Sequence, residues 1–406
     1  MDPLIIVAGA AALLAGVVAN LLVPPVVNLA QFLRSFDRPA PGGGEGERKA
    51  VLATAVPRLG GVAIAAGLAA GALVGLMAGW SQWGMKIPRP ELVALPIAAG
   101  LVFLVGLVDD LFGVTPGKKF LVEFLAAWLL VRVGWSFSEL NLPFVGEVHL
   151  GAWGGLVSLL WVVGVTNAIN LIDGLDGLAG GVAAIISGSL LVYAVIQNNL
   201  GSVVLMASIA GACIGFLRHN WEPARVFMGD SGSLTLGFLL GAISLHSAIK
   251  APAAVAILVP ILALGLPVID TLLVMVVRFV EGDGAPVGRR LGRMFRGDRQ
   301  HLHHLLSDLA TRHRRVVTVL YLIVLLFCVG AVAVAVTGEG TLGLVLLGIE
   351  IAVVVAMRQL GLVRRARDLA HDRVDSLRLR RPSWLRRGSG EEKLGAGAEK
   401  GPEYPD

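Results

Sequence analysis

Long apolar stretches dominate this chain and constrain its fold more than any other feature. Eleven runs have about the 17 to 25 residues that a helix needs to cross roughly 30 Å of hydrocarbon. They cover 4–30, 59–80, 92–112, 118–135, 153–171, 179–197, 200–217, 233–249, 253–279, 316–337 and 341–362. Backbone polar groups in lipid must find partners within their own segment, so these runs are predicted to be helices. The sequence therefore predicts an all-α, polytopic integral membrane protein.

The composition excludes a water-soluble globular protein. Of the 406 residues, 55% are hydrophobic and only 16% are charged, and the mean hydropathy is +0.77. A net charge of +5 could indicate nucleic-acid binding, but the basic residues gather in a few loops and a tail, so no nucleic acid is expected. Cys213 and Cys328 both lie in apolar runs, so neither a disulfide framework nor a thiolate zinc site is predicted.

The basic residues also predict the orientation in the membrane. Thirty of the 34 lysines and arginines fall in alternate loops and in the tail from Arg358 onwards. The positive-inside rule places these in the cytoplasm, with the N-terminus outside and the C-terminus inside an inner (plasma) membrane. Residues 1–363 are predicted to form a transmembrane catalytic domain, followed by a basic and then low-complexity tail, 364–406. The loops predicted to build a cytoplasmic site are 31–58, 109–119, 167–180, 217–233 and 279–315.

Five aspartates lie in three glycine-flanked clusters, all at predicted cytoplasmic helix ends. They are Asp109, Asp110, Asp173, Asp176 and Asp230. Carboxylates at the edge of apolar helices are costly unless they are paired, hydrated or bound to a cation. Magnesium suits them, because it binds one or two carboxylates, keeps several waters and bridges to substrate phosphates. Any one of these aspartates alone would be interpreted as a helix cap. The three clusters together predict a Mg²⁺ site, with Mn²⁺ as a substitute ion.

The largest predicted cytoplasmic loop supplies positive charge. It contains Arg299, His301, His303 and His304, whose side chains are suited to neutralising a diphosphate. A zinc site is the alternative, although no cysteine accompanies the histidines and aspartates fit hard phosphate chemistry better. A purely structural loop is the other interpretation of these histidines.

At these motifs the chain resembles the polyprenyl-phosphate N-acetylhexosamine-1-phosphate transferases, which begin lipid-carrier assembly of O-antigen, teichoic acid, arabinogalactan and peptidoglycan. The resemblance runs from about Pro57 to about Arg315. It rests on six motifs in family order: Pro57–Gly61, Asp109-Asp110 with Thr115-Pro116 and Lys119, Asn170–Gly177, Asn220–Ser233, Pro267–Thr271 and His301–His304. One departure is that Arg48-Lys49 is followed by Ala50-Val51-Leu52, where many relatives place a histidine.

The resemblance implies a role for each matching residue. Asp109 and Asp110 would serve a polyprenyl-phosphate acceptor, Asp109 as base or oxyanion positioner. Asp230 would hold the metal, with Asp173 and Asp109 as further ligands. Asn170, Asp173 and Asp176 would line the nucleotide and metal pocket, Phe227 would stack near the uracil and Asn220 would contact the nucleotide. Lys119, Arg299, His301, His303 and His304 would bind phosphates.

The implied reaction transfers a sugar 1-phosphate from a UDP-sugar to a polyprenyl phosphate and releases UMP. The loop His301-Leu302-His303-His304 favours UDP-N-acetylglucosamine over the muramoyl-pentapeptide donor, which remains the alternative. In-line attack and a covalent phospho-aspartate both stay open, as does a homodimer. An ion-coupled transporter is the alternative outside this class, but its sites usually lie near the midplane. Only Asp270 and Glu350 are predicted to lie deeper, with Glu350 paired within the bundle.

Overall fold

A computed structural model describes residues 3–36, 56–83, 89–142, 146–249, 256–280, 301–307 and 313–379. Within these ranges the chain is nearly all helical. The helices are α1 Pro3–Phe32, α2 Gly60–Trp83, α3 Arg89–Phe112, α4 Pro116–Arg132, α5 Trp153–Ile172, α6 Leu178–Ile196, α7 Leu200–Asn220, α8 Gly229–Ile249, α9 Leu258–Ala263, α10 Gly265–Val280, α11 Leu302–Ser307, α12 His313–Thr337 and α13 Gly340–Leu379. The antiparallel strands β1 Glu139–Leu142 and β2 Gly146–His149 form a hairpin between α4 and α5.

Nine of the described helices are long and apolar enough to cross a membrane. Of the other two predicted spans, 118–135 is represented by the 17 residues of α4. The predicted span 253–279 is not one continuous helix in its described part, because α9 ends at Ala263 and α10 begins at Gly265. Pro267 has no N–H to donate in the first turn of α10, which favours a helix start there. The multi-pass membrane architecture is confirmed, whereas the count of eleven and the orientation of the termini stay predictions.

The hairpin was not predicted from the sequence. Its strands have four residues each, with Glu139 opposite His149, too few for an alternating pattern to stand out from the surrounding apolar loop. Gly146 begins β2 with a φ of +86°, a conformation that favours glycine. The hairpin therefore represents a small departure from an otherwise all-α fold.

α1 shows how the bundle separates its lipid face from its core. Leu13 and Leu21 are 70% and 65% exposed, whereas Ala15 is completely buried. Small residues let neighbouring helices approach closely: a Cβ on Gly67 of α2 would lie 2.5 Å from the Ala15 carbonyl oxygen. Large residues outside and small residues at helix contacts are typical of bundles that pack in lipid.

α8 lies at the centre of the bundle and packs against α3 and α5. Every residue of α8 is buried except Asp230 in its first turn and Ile249 at its end. The first turn is held close to α3, since a Cβ on Gly106 would lie 2.6 Å from Cα of Ser231. The fold thus places the Asp230 carboxylate at the tip of a helix that is otherwise enclosed by protein.

Glu350, on α13, differs from its prediction. It is completely buried, and neither carboxylate oxygen has a hydrogen-bond partner in the described part of the chain. A Cβ on Gly265 would lie 1.9 Å from its Oε1 atom, so the carboxyl group occupies space that only a glycine leaves open. Within the described residues, the expectation that Glu350 is paired in the bundle is therefore wrong.

The chain divides into two compact units, Met1–Gly361 and Leu362–Asp406. The first unit contains eight of the long apolar helices whole and most of the ninth apolar span. In the second, the described residues, 362–379, are helical. The assignment of residues 1–363 as the catalytic domain stays a prediction.

Candidate active site

Three helix ends bring a lysine and two aspartates together. Asp109 lies in the last turn of α3, Lys119 in the first turn of α4 and Asp230 in the first turn of α8. The Lys119 Nζ atom lies 2.6 Å from Asp230 Oδ2 and 3.5 Å from Asp109 Oδ1. The Asp109 Oδ1 atom also accepts a hydrogen bond of 2.6 Å from the Val114 amide. Residues 111 positions apart in sequence thus form one charged cluster, whose side chains are 14% to 21% exposed.

Asp110 has different contacts from its neighbour Asp109. Its buried carboxylate accepts hydrogen bonds from the Asp230 amide at 2.8 Å, the Ser231 amide at 3.0 Å and the Ser231 hydroxyl at 2.5 Å. It therefore caps the N-terminus of α8, where unpaired amides favour a negative charge. Gly229 has a φ of +70°, and a Cβ there would lie 2.5 Å from Asp110 Oδ2. The Gly-Asp-Ser sequence is thus fitted around the Asp110 carboxylate.

The acidic groups can accommodate a divalent ion. One ligand oxygen from each of Asp109, Asp110 and Asp230 lies within 4.8 Å of the others. Carboxylate oxygens are the ligands that Mg²⁺ prefers. The Lys119 ammonium lies against two of these carboxylates, which shows that the position already attracts a cation. Because Asp110 is engaged by α8, Asp109 and Asp230 are the members with the most ligand capacity.

Asp173 directly follows α5 and lies outside that 4.8 Å group. Burial, followed by the negative charge of Asp230, raises the pKa of Asp173 to about 7, and the positive charge of Arg58 opposes this rise. The negative charge of Asp230 therefore acts on the Asp173 carboxyl. Part of the Asp173 surface is accessible to solvent. A carboxylate beside the cluster that is only half ionised near neutral pH is suited to respond to a cation.

Asp176 and Asn220 hold the loop after α5 in place. The Ala224 amide donates to Asp176 Oδ2 at 2.9 Å. Asn220 is buried: its Oδ1 atom accepts from the Gly177 amide at 3.0 Å, and its Nδ2 atom donates to the Val226 carbonyl at 2.8 Å. Sequence reasoning assigned both residues to the nucleotide pocket, whereas the contacts in the structure connect this loop to the segment before α8.

The Pro57–Gly61 motif forms the other wall of the segment before α8. Phe227 donates its amide hydrogen to the Pro57 carbonyl at 2.7 Å, and the Gly60 amide donates to the Phe227 carbonyl at 2.9 Å. A Cβ on Gly61 would lie 2.2 Å from the Gly232 nitrogen. This contact explains why glycines are needed in the motif, and it places Arg58 where its charge reaches Asp173.

The remaining predicted residues are described only in part. His301 is buried, with Nδ1 lying 3.0 Å from Asp270 Oδ2. Asn170 and Phe227 are half-buried, at the end of α5 and just before α8. The backbones of His303 and His304 belong to α11, but their side chains lie outside the described part of the chain, as does all of Arg299.

One polar residue near Lys119, Glu123, was missed by sequence reasoning. Glu123, one turn along α4, is 1% exposed and accepts a hydrogen bond from the side-chain amide of Asn167 on α5. The signal was available, because Lys119 and Glu123 are four residues apart and so share a helix face. Glu123 was overlooked because α4 was interpreted only as an apolar span.

Comparison with known proteins agrees with this geometry. The sequence pattern of glycosyl transferase family 4 matches residues 92–248. A probable undecaprenyl-phosphate N-acetylglucosaminyl 1-phosphate transferase from Bacillus subtilis is 31% identical over 68% of this chain and 73% of its own. A decaprenyl-phosphate N-acetylglucosaminephosphotransferase from Mycolicibacterium smegmatis is 34% identical over 78% of this chain and 80% of its own. The chain belongs to glycosyl transferase family 4.

Membership of the family confirms the resemblance inferred from the six motifs. The chain is a membrane transferase with several apolar helices, which argues against the transporter alternative. A phospho-N-acetylmuramoyl-pentapeptide-transferase from Moorella thermoacetica is also 32% identical, over 72% of this chain and 87% of its own. The N-acetylglucosamine phosphotransferases match more strongly than the pentapeptide transferases. The match to residues 92–248 includes Asp109, Lys119 and Asp230.

Proposed function

We propose that this protein transfers N-acetylglucosamine 1-phosphate from UDP-N-acetylglucosamine to a polyprenyl phosphate at the cytoplasmic membrane face, releasing UMP. The observation that carries the proposal is the cluster of Asp109, Lys119 and Asp230, assembled from three helix ends in a family 4 chain. Anionic groups and a cation at the end of apolar helices match a reaction between a membrane-embedded phosphate and a soluble nucleotide. The names of the relatives supply the sugar and the lipid.

The two reactants repel each other, and this repulsion is the main obstacle to transfer. An alkyl phosphate has a second pKa near 6, so the acceptor is largely a dianion near neutral pH and needs little proton abstraction. One of its oxygens attacks the phosphorus that carries the sugar. The bond from that phosphorus to the oxygen bridging to the uridine phosphate breaks, and UMP leaves. Positive charge around both phosphates therefore accelerates the transfer more than a strong base would.

The residues of the cluster have separate parts in this scheme. Asp109 and Asp230 would hold a Mg²⁺ ion, with Asp173 beside them, and the ion would neutralise negative charge on the phosphates. Lys119 would leave its carboxylate partners and bind phosphate. Asp110 would act as a positioning residue, because its carboxylate already binds the first amides of α8.

The test incubates purified protein with undecaprenyl or decaprenyl phosphate, Mg²⁺ and UDP-N-acetylglucosamine labelled in the sugar. The expected products are a lipid-linked sugar diphosphate and UMP in equal amounts, and chelation of the metal should stop their formation. Turnover only with UDP-N-acetylmuramoyl-pentapeptide would contradict the proposed donor and support the alternative branch. Failure with both donors would contradict the proposed function itself.

A further inference from the structure

One face of α13 is buried and carries charge. Glu350, Val354, Arg358 and Gly361 follow one another at spacings of four, four and three residues, which puts them in one row along the helix. Arg358 is 4% exposed. From the sequence, this arginine counted only as the first of the basic tail residues that set the orientation, and the structure shows that its side chain is buried. An arginine enclosed in a membrane bundle needs a counter-charge, because an isolated buried charge is costly.

The counter-charge of Arg358 is Asp270 on α10. The Arg358 Nη1 atom lies 4.0 Å from Asp270 Oδ1. Neither Nη1 nor Nη2 has a hydrogen-bond partner in the described part of the chain, so the contact is ionic. Glu350 is no substitute partner, since eight residues of helix separate the two by roughly 12 Å along the axis.

Asp270 in turn holds the first residues of the histidine motif. Its Oδ2 atom lies 3.0 Å from His301 Nδ1, and its Oδ1 atom accepts a hydrogen bond of 3.1 Å from the Leu302 amide. One carboxylate thus orients the imidazole ring and also fixes the backbone where α11 begins. The side chains of Asp270 and His301 are 10% and 5% exposed, so water competes little for these contacts.

α13 supports the same motif at a second point. A Cβ on Gly361 would lie 2.8 Å from Cβ of Leu305 on α11, so the two helices touch through this glycine. Gly361 lies three residues after Arg358, on the same face. In addition, α10 packs against α5, whose C-terminal end carries Asn170 and Asp173. The row on α13 therefore contacts α11 directly at Leu305, next to the histidine motif, and reaches the motif itself through Asp270.

We propose that Arg358 is a positioning residue for the UDP-sugar: by fixing Asp270 with its charge, it holds His301 in the orientation that binds the donor diphosphate. This inference rests on the proposed function, in which His301 binds donor phosphate. It adds a residue from the last membrane helix to a site otherwise built from the earlier helices. Removing the guanidinium removes the contact that fixes the Asp270 carboxylate from the α13 side, so the carboxylate can rotate and no longer holds the ring and Leu302 in one orientation.

The first experiment compares Arg358→Met, Arg358→Lys and the matched control Gln359→Met in the transfer assay. Gln359 is the neighbouring residue and is exposed. Arg358→Met is expected to raise the KM for the UDP-sugar about tenfold, within the range of measured pairwise couplings, while the KM for polyprenyl phosphate stays within twofold. Arg358→Lys restores the charge and is expected to recover most of the donor affinity. A general loss of packing would instead affect both substrates and would not be rescued by lysine.

A double-mutant cycle then tests whether Arg358 acts through Asp270. Asp270→Asn alone is expected to raise the donor KM, and adding Arg358→Met should raise it no further. If the two substitutions together raise the donor KM by the product of their separate effects, the proposal is overturned. If Arg358→Met does not fold, the charge-neutral double variant compared with Asp270→Asn still decides, because removing both charges of a buried pair is tolerated better than removing one. Wild-type protein without transfer activity overturns the proposed function and this inference together; active wild type with an unchanged donor KM in Arg358→Met overturns this inference alone.

Discussion

The Asp230 cluster and the Asp270 cluster use similar groups in opposite ways. In the Asp230 cluster, a lysine lies between two carboxylates and the side chains are 14% to 21% exposed. In the Asp270 cluster, an arginine faces one carboxylate and the side chains are 5% to 10% exposed. Lysine is a flexible point charge, whereas arginine presents a rigid planar group. The comparison indicates that the first cluster is built to exchange its cation and the second to keep it.

The largest expected effect follows from removing a carboxylate that must hold the exchanged cation. Asp230→Asn should reduce turnover by about a thousandfold or more, on the scale of losing a main electrostatic contributor. Asp109→Asn should be no more damaging, because an acceptor dianion needs little help from a base. Transfer rates at saturating substrates measure both. Near-wild-type turnover in Asp109→Asn with an inactive Asp230→Asn would exclude an obligatory base at Asp109.

Asp110 is a third case. It lies beside Asp230, but its carboxylate is fixed by hydrogen bonds, as that of Asp270 is. Asp110→Asn replaces one acceptor oxygen by a donor that faces the first amides of α8. This change should cost about 2 kcal/mol of stability, because it leaves buried hydrogen-bond donors unpaired. Thermal unfolding in detergent measures the loss, and Ser231→Ala, which removes only the hydroxyl donor, is the matched control. An unfolding temperature equal to wild type in Asp110→Asn would contradict the capping role.

The pH dependence of metal binding tests whether the Asp230 cluster exchanges cations with solvent. Because the pKa of Asp173 is raised to about 7, its carboxyl is mostly protonated at pH 6 and mostly ionised at pH 8. Ionised carboxylates bind Mg²⁺, so the half-saturating Mg²⁺ concentration should fall as pH rises, by up to about tenfold per unit below pH 7. Asp173→Asn should flatten this dependence. An unchanged slope in that variant would exclude Asp173 from the metal site.

The smallest expected effect concerns the lysine that the metal must displace. Lys119→Met removes the ammonium from Asp230, so the site should bind Mn²⁺ about threefold more tightly, comparable to a partly exposed ion pair. Lys118→Met is the control, since Lys118 is the exposed neighbour. Direct Mn²⁺ binding separates this effect from the fall in turnover that follows the loss of a phosphate contact. Weaker Mn²⁺ binding in Lys119→Met would show that the lysine assists the metal.

Much of the fold could be predicted because lipid imposes simple rules. The apolar run 92–112 became α3, Arg89–Phe112, and the run 4–30 became α1, Pro3–Phe32. The interruption at Leu264 was missed, since an apolar pattern continues through it and hydropathy does not report where one helix ends and the next begins. Hydropathy therefore predicts where a span lies better than whether it is continuous.

The motifs that form the site were predicted, but the separate contacts made by the residues within each motif were not. Asp109 and Asp110 are adjacent and look alike in sequence, yet only the structure shows that one caps α8 and the other faces Lys119. The positioning role proposed for Arg358 could not be predicted from the sequence. Its partner Asp270 lies 88 positions earlier, and a basic residue near a helix end is usually solvated. Such roles depend on tertiary contacts that a single sequence does not encode locally.

The position of Lys119 has a consequence for how the protein is made. A newly inserted chain must bring Asp109 and Asp230 together at the membrane surface, where two like charges would push their helices apart. The Lys119 ammonium supplies an internal counter-ion, so the helix ends can assemble whatever the concentration of divalent ions around the nascent protein. If the site takes up a metal as proposed, loading is then an exchange with this ammonium and is separate from biogenesis.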